Sequence, residues 1–274
     1  MGNEYSLSEN DIISMMISPD LSPIGAGGYG KVYTHPAHHN LAIKKSKDEG
    51  LCKDWSNEYN IQKEIASYND LPVGFFSKHS IIVVNPHAFV MVNNTCFLVM
   101  DRVCPLGSSS SKEISNIQGK SVHALLGSPS HFMDNKDRGI FLGRKQLNAY
   151  LNNLTKIIKE LGSFMAYVHY KLGYDANDIE VIIGKDCLKN EINLYILDFG
   201  MVGNFTVNGA VSSLSDMEYF PYPVDERMKT SLKMSDEDAE ENNKLYDIFK
   251  KEYLLTAEKY GKLKEGTMVI SEFE

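Results

Sequence analysis

Residues 24–45 read IGAGGYGKVYTHPAHHNLAIKK. Gly25, Gly27, Gly30 and Val32 fit the spacing G-x-G-x-x-G-x-V. Glycines let a backbone approach phosphate oxygens closely and tolerate positive φ, so several N–H groups can converge on one anion. By itself the spacing also describes a dinucleotide-binding turn or a plain glycine hairpin. The residues after Gly30 separate these readings. A dinucleotide turn opens a helix, whereas KVYTH is strand-like and leads through PAHHN to a second strand, LAIKK. His35, His38 and His39 therefore read as the turn of a hairpin rather than as metal ligands.

A glycine hairpin followed by Ala-Ile-Lys resembles the small lobe of protein kinases. The resemblance implies that Lys44 reaches the α- and β-phosphates of ATP and that Val32 and Ala42 pack on the adenine. It also requires a carboxylate on the next helix to hold the lysine. The stretch DWSNEYNIQKEIASYND, 54–70, places Trp55, Tyr59, Gln62, Ile65 and Ala66 at roughly helical intervals. It offers Glu58 and Glu64, with Glu58 preferred and Glu64 in reserve. SIIVVNPHAFVMV and TCFLVMDRV read as strands, and FLVMDRV resembles the hinge between lobes. Met100 would be the gatekeeper, with Asp101 to Val103 offering backbone groups to adenine. The Gly/Ser-rich stretch CPLGSSSSKE then suits a connector or surface loop.

Beyond the connector the periodicity turns helical. Leu147, Leu151, Leu154, Ile158, Leu161 and Met165 fall at i+3/i+4 steps, predicting a helix from Gln146 to Tyr170. Two strands, IEVIIG and NLYILDFG, come next around the polar turn KDCLKNE. A last helix starts near Ser235, with the acids of SDEDAEE suited to its positive end. Laid on the kinase frame, YDANDIEVII puts Asp175 at the catalytic base and Glu180 where an asparagine usually binds metal. LYILDFG puts Asp198 at the magnesium-binding position. Glu180 supplies hard oxygen as asparagine would, with an added charge that suits Mg²⁺ or Mn²⁺. The usual His-Arg before the base reads Gly173-Tyr174, the lysine two residues after it is Asn177, and MEYFPYP replaces Ala-Pro-Glu. Tyr219, Phe220 and Tyr222 in that segment read as core.

The islands YDANDIEVIIG, LYILDFG, YFPYP and LYDIFKKEYLLTAEKY, with IFLGRKQ before the long helix, resemble an uncharacterised, largely fungal family. Its core motif is Asp-Ala-Asn-Asp-(Val/Ile)-Glu-Phe-Val-Leu. The resemblance implies a divergent kinase-like fold and makes Glu180 a family trait; it supplies no substrate.

The expected architecture is α+β and bilobal: a small β-rich N-lobe over residues 1–102 and a reduced, mainly helical C-lobe over 103–274. The formal net charge of -8 argues against nucleic acid as a partner. No apolar run approaches a membrane span. MGNEYS fits the loose N-myristoylation pattern, but Glu4 beside the acceptor and the lack of a polybasic partner argue against lipidation at Gly2. Cys52, Cys96, Cys104 and Cys187 are scattered without a C-x-x-C pair and read as reduced thiols of a cytoplasmic protein. The expected function is ATP- and Mg²⁺- or Mn²⁺-dependent phosphoryl transfer to a hydroxyl, with Ser/Thr of an unknown protein substrate as acceptor. The alternatives are a nucleotide-binding pseudokinase, a small-molecule or lipid kinase, and a nucleotidyl transferase.

Overall fold

The computed structural model describes residues 9–26, 30–71, 79–106, 121–135, 139–215 and 219–274. Gly2, Gly27 and the serines 108–111 lie outside the described residues.

The N-terminal half contains α1 (Glu9–Met16), β1 (Ser22–Ala26), β2 (Gly30–His35), β3 (His38–Ser46), α2 (Cys52–Ala66), β4 (Ile81–Val83), β5 (Pro86–Val92) and β6 (Thr95–Asp101). Five of these strands form an antiparallel sheet in the order β1-β2-β3-β6-β5. The period of two along β3 decides what lies on each side. Leu41 and Ile43 pack with Phe97 and Val99 under Ile12, Met15 and Met16 of α1. Ala42 and Lys44 alternate to the other face, opposite Met100 and Leu98 in the register. There α2 lays Cys52 and Trp55 against Cys96 and Leu98. His35 and His38 pair across the Pro36-Ala37 turn. Asn93 and Asn94, both left-handed, close the β5–β6 hairpin, as a tight two-residue turn requires.

The C-terminal half contains β7 (Val103–Cys104), β8 (Val122–Leu125), β9 (Phe132–Asn135), β10 (Gly139–Gly143), α3 (Arg144–Leu147), α4 (Leu154–Ala166), β11 (Glu180–Asp186), β12 (Ile192–Leu197), α5 (Val207–Leu214), α6 (Glu226–Leu232), α7 (Asp236–Lys259) and α8 (Leu263–Phe273). A seven-stranded sheet runs β4-β12-β11-β8-β10-β9, with β7 added on β11. Its first strand comes from the N-terminal half: β4 pairs in parallel with β12. The main core joins the strands to the helices through Ile183, Ile196, Leu161, Phe164, Phe249 and Tyr253. Phe249 is 1 % exposed, so its truncation to alanine would cost about 3–5 kcal/mol. α7 begins at Ser235, whose hydroxyl accepts from the Asp238 N–H, with Asp236, Glu237 and Asp238 in the first turn. Tyr219, Phe220 and Tyr222 are buried, as their composition suggested. The whole is an α+β fold of two parts: a β-rich first half, then a second half in which helices predominate.

Three expectations are corrected. The helix foreseen from Gln146 to Tyr170 is broken at residues 148–153, among Asn148, Asn152 and Asn153. Asn153 sits at φ 64° and caps α4 by accepting from the Lys156 N–H, a local bond that competes with helix continuation. The segment before α3 forms β8, β9 and β10, which were not foreseen. At the start of α3, Arg144 is wholly buried, donating to the Leu126 carbonyl (2.8 Å) and Asn242 Oδ1 (2.7 Å). Burial pulls its pKa down against the opposing pull of Glu241.

The third correction concerns the cysteines. They are not free thiols: Cys52 bonds Cys96 and Cys104 bonds Cys187, with Cα separations of 5.4 and 5.2 Å. Partners 44 and 83 residues apart meet only through sheet and helix packing, which spacing motifs do not report. The cytoplasmic expectation loses the support it drew from them. Among the described residues, no helix is long and apolar enough to cross a membrane.

Candidate active site

Lys44 is where the two halves meet. Its position on β3, across from Val32 of β2, sends the ammonium toward α2. There it donates to Glu58 Oε1 at 2.7 Å, and it stands 3.8 Å from Asp198 Oδ1. Glu58 is 4 % exposed and the lysine 18 %. Burial raises the Glu58 pKa, and that desolvation outweighs the lowering by Lys44. The ammonium also lies 4.9 Å from the Trp55 ring centroid, a cation–π contact beneath the glycine strand. Gly30 is needed for this packing: a Cβ there would come within 2.7 Å of Trp55 Cη2 and of the Lys45 carbonyl.

Asp175 lies between the end of the long helix and β11, 8 % exposed. Oδ1 accepts from the Gly203 N–H (2.9 Å) and the Asn177 N–H (3.1 Å), and Oδ2 accepts from Asn177 Nδ2 (2.9 Å). A carboxylate has about four lone-pair sites, so acceptor capacity remains on Oδ2. Asn177, read from the sequence as a lost lysine, thus fixes the carboxylate. Residues 173–175 and 203–205 are zipped together: Asp175 N–H to Gly203 O (3.0 Å), Phe205 N–H to Gly173 O (2.7 Å), and a Tyr174–Asn204 bridge. The loop with Asp175 is thereby fastened to the segment after Asp198. Ala176, Asp178 and Asp198 all have positive φ (57°, 58° and 62°), uncommon for residues with side chains and frequent where function imposes the backbone.

Glu180 opens β11 opposite Leu197, the residue before Asp198 in the chain. Their side chains are 36 % and 44 % exposed. Among the described residues no group of three or more His, Cys, Asp or Glu could hold a metal unaided. Two partly exposed carboxylates at the ends of paired strands fit Mg²⁺ or Mn²⁺ nonetheless, since Mg²⁺ is commonly held by one or two carboxylates plus phosphate oxygens and water.

The structure therefore brings Lys44, Glu58 and Asp198 into contact and ties Asp175 and Glu180 to the segments flanking Asp198. Gly25 faces Val32 across β1–β2, and Ala42 faces Met100 across β3–β6, on the same face as Lys44. The hinge is more engaged than expected. Asp101 donates its N–H to the Asn85 carbonyl, and its carboxylate accepts from Asn85 (3.0 Å) and meets His87 (2.7 Å). Val103 lies in β7, paired with Asp186. Asp101 lines a groove of about 490 Å³ with Asn85, Arg102 and Tyr195, apart from Lys44, Asp175 and Asp198.

Sequence reading missed two supports. Tyr174 donates to Glu64 Oε2 (2.9 Å), so the reserve glutamate ties α2 to the loop that carries Asp175. His169 is fully buried behind Asp175, its Nε2 3.2 Å from the Asp175 carbonyl and its Nδ1 2.7 Å from the Tyr253 hydroxyl. A carbonyl only accepts, so the ring hydrogen is on Nε2 and Tyr253 donates to Nδ1. Burial lowers the His169 pKa to about 3 and keeps the ring neutral. A histidine six residues before Asp175 was the available signal.

No protein-family model matches the chain, and no curated protein matches it. Among solved structures the chain is similar to the crystal structure of the Mycobacterium tuberculosis PknI kinase domain. The TM-score is 0.41, with 14% identity over 95% of this chain and 99% of that one.

Proposed function

We propose that the chain is an ATP- and divalent-metal-dependent kinase of an atypical kind, transferring the γ-phosphate to a hydroxyl, with Ser or Thr of a protein as the acceptor. The observation that carries this is the Lys44–Glu58 pair with Asp198 Oδ1 3.8 Å from the same ammonium. Phosphoryl transfer asks mainly for positioning and charge neutralisation. Lys44, held by Glu58, brings positive charge to the phosphates of ATP. Mg²⁺ or Mn²⁺, held by Asp198 and Glu180, would neutralise charge on the transferring group. Asp175 orients the acceptor hydroxyl and takes its proton on Oδ2. The resemblance of the motif islands to the fungal kinase-like family agrees with the same assignment of Asp175 and Glu180.

A second reading is favoured by one observation: Asp175 is 8 % exposed beneath Gly203 and Gly209. A base so enclosed suits a pseudokinase that binds nucleotide and signals by shape. The deciding experiment incubates the protein with γ-labelled ATP and Mg²⁺ or Mn²⁺ beside Lys44→Ala and Asp198→Ala. Label incorporation abolished in both variants supports transfer. Calorimetric ATP binding without incorporation supports the pseudokinase, and label arriving only from α-labelled ATP replaces both with nucleotidyl transfer.

A further inference from the structure

His123 is a buried titratable residue with no part in the chemistry above. It sits on β8, 5 % exposed, opposite Ile182 of β11. Glu180 lies two residues before Ile182 on the same strand, and a spacing of two returns a side chain to the same face. His123 is therefore the diagonal cross-strand neighbour of the carboxylate. The ring is stacked on Phe141 of β10, centroids 4.3 Å apart and planes 11° from parallel. So held, Nδ1 stands 3.0 Å from the Tyr219 hydroxyl and 4.0 Å from Glu180 Oε2. One nitrogen thus faces a phenol from the segment after α5 and a carboxylate of the candidate site.

We propose that His123 is a positioning residue for Glu180: with its hydrogen on Nδ1 it donates to the Tyr219 oxygen and turns the same N–H dipole toward the carboxylate, fixing the rotamer from which Glu180 binds the metal. This rests on the reading of Glu180 as a metal-binding carboxylate. Groups that orient a ligand from behind change metal affinity about 10–100-fold when removed. β8 and β10 thereby acquire a purpose: together they carry and clamp the residue that aims Glu180.

The test measures Mn²⁺ binding by electron paramagnetic resonance on the full chain saturated with a non-hydrolysable ATP analogue. His123→Asn keeps an amide nitrogen near the Nδ1 position, whereas His123→Gln moves it toward Nε2. The Gln variant should bind Mn²⁺ about tenfold more weakly and the Asn variant within about threefold of the parent. Metal-free analogue affinity should hold in both. Equal affinities in the two variants overturn the proposal, because a merely structural histidine would not distinguish them. Tyr219→Phe removes only a hydroxyl and should weaken Mn²⁺ about threefold; unchanged binding overturns the proposal even should the histidine variants fail to fold. Glu180→Gln separates the two levels. Retained Mn²⁺ affinity there removes the metal reading and this proposal together, while lost affinity there with parental binding in His123→Gln removes this proposal alone.

Discussion

Replacing His169 by glutamine should change how stability depends on pH, by an amount the structure sets. The imidazole is wholly enclosed, and burial takes its pKa from 6.5 to about 3. Protonating Nδ1 would also oppose the Tyr253 O–H that donates to it, and Tyr253 is itself 2.6 Å from the Tyr170 hydroxyl. In the unfolded chain the ring titrates freely. As pH falls below 6.5 the unfolded state gains a proton that the folded state refuses, so stability is lost until the folded pKa is reached. Linkage puts the loss at about 1 kcal/mol near pH 5.5 and about 3 kcal/mol near pH 4.5. Glutamine keeps a donor near Nε2 for the Asp175 carbonyl but cannot titrate. At neutral pH the variant should be less stable than the parent. In urea melts from about pH 8 to about pH 4.5 the gap between them should narrow by these amounts. Other acid-titrating groups are common to both proteins and cancel in the difference. A gap constant across that range would refute a neutral, enclosed His169.

Glu58→Gln removes the charge that holds Lys44; calorimetry should show ATP affinity reduced about tenfold, and denaturation a cost of about 1–3 kcal/mol for leaving a largely enclosed ammonium with only the more distant Asp198 carboxylate. Gly209→Ala would place a Cβ 2.9 Å from Asp175 Cβ and 3.0 Å from its Oδ2. The displaced carboxylate should lower kcat by about 100-fold with KM for ATP unchanged, measured in the γ-label assay. Reduction of the disulfides should lower stability by about 4–4.5 kcal/mol per bridge from released chain entropy, read as a shift of the urea midpoint with and without dithiol. Peptide mapping without reductant should recover the Cys52–Cys96 and Cys104–Cys187 pairs and no others.

Local chemistry made the first half legible. In β2 and β3, glycine spacing, strand alternation and Lys44 sit within one short stretch, so the hairpin could be read directly, whereas the preference for Glu58 over Glu64 came from the resemblance of NEYNIQ to a kinase helix. Asp198 was legible because LYILDFG joins an apolar strand to an acid at its end. β8, β9 and β10 were not, because their short apolar runs, such as VHALL and IFLG, are too brief for any period to stand out. His123 and His169 escaped for a different reason. Each acts through a partner distant in the chain, Tyr219 and Tyr253 respectively, and no spacing rule connects them. The disulfides belong with these: only the packing of α2 on β6, and of the β11–β12 turn on β7, creates them.

The membership of β4 in the larger sheet has a mechanical outcome. Within the described residues the chain passes between the two sheets from β4 to β5 and again from β6 to β7, and Asn85 of the first link is hydrogen-bonded to Asp101 at the start of the second. Two bodies joined by one tether can swivel and slide; two tethers bonded side by side leave little beyond rocking about the line through them. Any widening of the gap above Lys44 should therefore proceed like a book opening on its spine, with shear and torsion suppressed.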